Sequence, residues 1–119
     1  MTIERYSNSF KGKVDTTTET FKLIVKLIDE LTKRGIEVGY INGIGSTEEW
    51  KAKEIGEKYI SVDTVYRRNG TAANASLDIE CMVKTSASSS RRIDKVRVKV
   101  GASDKVISKR IDTILEKMA

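Results

Sequence analysis

"YISVDTVYRRNGTAANASLDIECMV", residues 59 to 83, decides the fold. It carries two runs of alternating apolar and polar residues around Asn69-Gly70, the strongest short signal for a hairpin, because both turn positions favour positive φ. Setting Arg68 opposite Thr71 places Ile60 against Ile79, Val62 against Leu77, Thr64 against Ala75 and Tyr66 against Ala73. One face of the pair is then apolar throughout, as a half-buried antiparallel pair requires. Asp63, Ser76, Asp78 and Glu80 fall on the opposite face. A slip of one residue would bury Asp78 and Glu80 and expose Leu77 and Ile79, so the parity is strongly specified.

Downstream, "TSASSS" (85–90) reads as a loop. Val96, Val98 and Val100 then alternate with Lys95, Arg97 and Lys99 in a further strand. If that alternation holds through the loop, Glu80 stands beside Arg97 and Asp78 beside Lys99, a charge ladder on the solvent face. Ser103 caps a closing helix whose buried stripe is Ile107, Ile111, Ile114, Leu115 and Met118.

Upstream, residues 5–14 fit a strand with Tyr6, Phe10 and Val14 on one face. Thr16 and Glu19 are spaced as a capping box. Phe21, Ile24, Val25, Ile28 and Leu31 recur at helical spacing, and Gly35 suits the position after the helix. Ile36, Val38 and Tyr40 suggest a strand with those three residues on one face. Residues 41–58 carry no clear period. Ser46 or Thr47 could cap a short helix bearing Trp50 and Ile55, or the segment is irregular. The expected architecture is a single α+β domain over 1–119, a two-layer sandwich. Two helices pack on one face of a mostly antiparallel sheet of four or five strands.

Composition narrows the chemistry. The 119 residues include no histidine, no proline, no glutamine and one cysteine. Without histidine, His-based triads and the commonest metal ligand are excluded. Cys81 cannot form an internal disulfide and faces the core side, so it reads as a small buried residue and the chain as cytoplasmic. The N-terminal residues lack the apolar stretch of a signal peptide, and no apolar run is long enough to span a bilayer, so no membrane association is expected. Few thermolabile residues together with abundant Lys, Glu and Ile resemble thermophile composition.

Net charge is +5, and all of the excess lies late: residues 84–119 carry ten Lys/Arg against four Asp/Glu. Such a split is expected of a chain that meets a polyanion with one region. The expected contacts are Arg67 and Arg68 at the hairpin turn, Arg91 and Arg92 at the end of the serine loop, and Lys95, Arg97 and Lys99 along the strand. The expected function is therefore a small basic non-enzymatic protein that binds RNA or single-stranded DNA with weak sequence specificity and needs no cofactor. One alternative is an oligomerising or protein-interaction domain, homodimeric through the 41–55 region with Ile41, Ile44, Trp50 and Ile55. Another is a Mg²⁺-dependent nuclease built on Asp63, Asp78 and Glu80, which share a face on adjacent strands. "DIECMVK" (78–84) resembles the acid-x-Lys ending of restriction-type nucleases, but Met82 stands where the lysine should, two residues after Glu80. "GYINGIGSTEEW" (39–50) lacks the Lys-Ser/Thr ending of a phosphate loop, and Glu48 and Glu49 would repel a phosphate.

Overall fold

The computed structural model describes residues 19–41, 45–46, 53–65 and 76–119. The expected strand over 5–14 and the Asn69-Gly70 turn lie outside these residues. Helix α1 (Glu19–Lys33) buries Phe21, Leu23, Ile24, Leu27, Ile28 and Leu31 along one stripe. It stops at Gly35, whose φ of 77° is open to glycine without a Cβ penalty. The Gly35 amide donates to the Thr32 carbonyl and the Ile36 amide to the Leu31 carbonyl, the paired bonds of a Schellman cap.

Among the described residues there are five strands, β1 (Val38–Ile41), β2 (Gly45–Ser46), β3 (Lys58–Val65), β4 (Ser76–Lys84) and β5 (Ser90–Val98). They form one sheet in the order β2-β1-β3-β4-β5, with only β1 and β3 parallel. Helix α2 (Asp104–Leu115) follows and ends in a 3₁₀ turn, Glu116–Met118. Ser103 caps α2, its hydroxyl accepting from the Val106 amide at 3.3 Å. Ile107, Ile111 and Ile114 complete a core with α1 and with Ile60, Val62, Leu77, Ile79, Cys81 and Val98 of the sheet. Cross-helix contacts fix the pair: Arg34 bonds the Asp112 carboxylate and the Ser108 hydroxyl, and Lys26 pairs with Asp104 at 3.1 Å. The expected two-layer α+β arrangement is what the chain adopts.

The expected registers of both strand pairs need correction. Val62 pairs with Ile79 rather than Leu77, Ile60 with Cys81 rather than Ile79, and Thr64 with Leu77 rather than Ala75. The shift is two residues, so every side chain keeps its face, and a pattern of period two cannot distinguish the two registers. The same holds between β4 and β5, where Asp78 meets Arg97 instead of Lys99 and Glu80 meets Lys95 instead of Arg97. A bulge then intervenes: Cys81 opposes Asp94 while Met82 opposes Arg92, leaving Ile93 as the extra residue.

A second bulge sits in β1. Val38 pairs with Ile60 but Tyr40 with Ser61, so Gly39 is the extra residue. Tyr40 therefore turns to the outer face and Ile41 to the core, against the expectation that Val38 and Tyr40 share a face. In the segment of unclear period, Ser46 belongs to β2, while Thr47 and Trp50 lie outside the described residues.

Candidate nucleic-acid interface

The charge ladder exists, with its partners displaced by the register shift. Arg97 grips Asp78 with two nitrogens, Nε at 2.9 Å and an Nη at 3.3 Å, and Lys95 reaches the same carboxylate at 3.4 Å. Arg92, brought to the outer face by the bulge, pairs with Glu80 at 3.3 Å. Asp78 was expected to face solvent. It stays on the outer face but is only 4% exposed, lying against the Arg97 and Lys95 side chains. Burial pushes its carboxyl pKa up; the hydrogen bond and charge of Arg97, with Lys95, outweigh that and leave it below its ordinary value.

Of the seven expected contacts, Arg92, Lys95 and Arg97 are thus partly neutralised. Arg67 and Arg68 lie outside the described residues. Arg91 is exposed at the start of β5 and opposes Val83. Lys99 stands just past the end of β5, not in the ladder. Among the described residues Arg91 and Lys99 form no ion pair, and neither do Lys105, Lys109 and Arg110 of α2, which the strand-centred reading missed.

Local geometry explains how two of those five cations, Lys99 and Arg110, come to line one concavity. The Ala102 amide donates to the Lys99 carbonyl at 3.1 Å, closing a turn with Gly101 at φ 86°. Ser103 starts the helix at once, and the short connection folds α2 back beside β5. An open concavity of about 470 Å³ results, lined by Arg97, Lys99 and Arg110 together with Val98, Val100 and Val106. Cationic and apolar residues thus share its lining, and Val106 is left exposed there. The signal in the sequence was "SDKVISKR" (103–110): the stripe at Ile107 and Ile111 leaves Val106 and Arg110 on one flank.

The nuclease constellation does not form a metal centre. Asp63 and Asp78 are cross-strand partners, yet the Asp78 oxygens are taken by Arg97 and Lys95. Among the described residues no three acidic or thiol groups cluster as metal ligands. Cys81 is fully buried, and burial raises its thiol pKa despite the nearby Lys58, which disfavours the thiolate a nucleophile needs.

The homodimer expectation through 41–55 loses Ile41, which is fully buried in the core. Ile55 is 68% exposed in a turn, and Ile44 and Trp50 lie outside the described residues. Among the described residues no helix is long and apolar enough to cross a membrane. The sequence matches no protein-family model, no curated protein and no solved structure.

Proposed function

We propose that this protein binds RNA or single-stranded DNA non-enzymatically, through the basic concavity between β5 and α2. The observation that carries the reading is the set Lys99, Lys105, Lys109 and Arg110. Among the described residues these four cations form no ion pair; they lie within residues 99–110 of the chain, and Lys99 and Arg110 line the concavity. The apolar lining of Val98, Val100 and Val106 suits the sugar and base surface of an unpaired strand, and the cations suit its phosphates. From there Arg97, Lys95 and Arg92 continue as a cationic track along the outer face of β5. Affinity built on phosphate contacts carries little sequence information.

Titration of a labelled single-stranded oligonucleotide at several salt concentrations tests the reading. Binding should weaken steeply with salt, each neutralised phosphate contributing a log–log slope of about −0.7. The double substitution Lys99→Ala and Arg110→Ala should make that slope shallower by about 1.4, uniformly across sequences. Both side chains lie outside the core, so the thermal midpoint should stay in place. An unchanged slope removes the concavity from the interface.

A further inference from the structure

The outer face of the sheet holds a second cavity, of about 420 Å³, distinct from the basic concavity. Its walls include Tyr40, Tyr59, Ser61, Asp63, Glu80 and Met82, from β1, β3 and β4. The β1 bulge is what aims Tyr40 here, where its ring is 39% exposed. Tyr59 is buried and its hydroxyl is held by Ser90 Oγ at 2.8 Å, so that wall is fixed.

Ser61 marks this cavity as built for a ligand. The residue is only 7% exposed, it lines the cavity, and its hydroxyl has no hydrogen-bond partner among the described residues. A buried polar group left without a partner is rare in folded proteins, and it calls for an occupant that supplies one. The cavity wall carries acceptors, the Glu80 carboxylate, whose Oε2 also takes Arg92 at 3.3 Å, and the Ser61 hydroxyl. On the neighbouring strand Arg92 opposes the wall residue Met82 and Lys95 opposes Glu80, where they pair with Glu80 and Asp78 respectively. Acceptors within, an aromatic ring at the side and cations outside complement a nucleotide that inserts its base and leaves its phosphate at the rim.

We infer that this cavity takes an unpaired nucleobase bearing an exocyclic amino group, stacked on Tyr40, with its amino hydrogens on the Glu80 carboxylate. The inference rests on the nucleic-acid reading and deepens it. The track Arg97–Lys95–Arg92 leads from the basic concavity to this cavity, so one strand serves both. Carboxylate acceptors pair with the amino groups of cytosine and adenine and find no such donor on uracil, which gives a modest preference on top of the phosphate contacts.

Titration of the full chain with labelled ten-nucleotide oligo(C), oligo(A) and oligo(U) RNA tests it. Oligo(C) and oligo(A) should bind at least about fivefold more tightly than oligo(U). Tyr40→Ala should weaken oligo(C) and oligo(A) binding by about 5- to 150-fold, the range of a lost base–aromatic stack. Ser61→Ala should weaken it by about 2- to 10-fold while leaving the denaturation midpoint of the free protein unlowered, because the hydroxyl it removes bonds nothing there. Salt-dependent binding with equal affinity for the three oligomers, or binding indifferent to Tyr40→Ala, overturns the cavity assignment and leaves the basic concavity standing. No binding of any oligomer at low salt overturns both.

Discussion

Replacing Ile79 with alanine is expected to destabilise the fold by about 2–5 kcal/mol, the range for truncating a fully buried isoleucine. Ile79 has no exposed surface and lies on β4, which is bonded on both sides. Its cross-strand partners are Val62 on β3 and Val96 on β5. The β3 and β4 backbones are held in a ladder of eight paired positions, so the sheet has little freedom to collapse into the void. Ile79→Val, which removes one methylene, should cost about 0.5–1.5 kcal/mol. Denaturant unfolding monitored by circular dichroism measures both. A cost below about 1 kcal/mol for the alanine variant would mean that Ile79 is not in the core and that the parity of β4 is reversed.

Asp78→Ala is expected to cost about 1–3 kcal/mol at neutral pH, through lost charge-assisted hydrogen bonds to Arg97 and Lys95. The cost stays below that of breaking a fully buried pair, because the orphaned cations are about half exposed and can turn to water. The folded-state pKa of Asp78 is lowered, so its contribution is fully present above the unfolded value of about 3.9 and is lost as pH falls through the folded value. The stability gap between the natural protein and Asp78→Asn should therefore be widest near pH 7 and shrink below about pH 4. A gap that is the same at pH 7 and pH 3 would show that the charge of Asp78 is not what stabilises the fold. The same substitutions release Arg97 and Lys95, so nucleic-acid binding should strengthen and its salt dependence should steepen.

What the sequence disclosed and what it hid follow from one fact about strands. Alternation specifies a face, and Leu77, Ile79 and Cys81 are on the core face while Asp78, Glu80 and Met82 are on the other. Alternation says nothing about shifts of two residues, so the partners of Asp78 and Glu80 came out displaced. Nor does it reveal a bulge: Gly39 and Ile93 each add a residue, and those additions carry Tyr40 and Arg92 to the outer face. Helical stripes were legible because 3.6-residue spacing over three turns leaves little ambiguity: α1 buries Phe21, Ile24, Ile28 and Leu31 and α2 buries Ile107, Ile111 and Ile114, while Val25, Leu115 and Met118 are partly buried against them. The basic concavity was hidden because its members come from a strand end, a turn and a helix flank. Lys99 and Arg110 become neighbours only through the Gly101 turn, a tertiary consequence of a five-residue connection.

Chemical-shift mapping by two-dimensional NMR, as a single-stranded oligonucleotide is added at low salt, tests the central claim most directly. Shifts should concentrate at 97–102 and at Val106–Arg110, extend along Lys95 and Arg92, and reach Tyr40 and Ser61, then fade together as salt is raised. Shifts confined to α1 or to residues 53–57, or no shifts at all at low salt, would contradict the claim that this face binds nucleic acid.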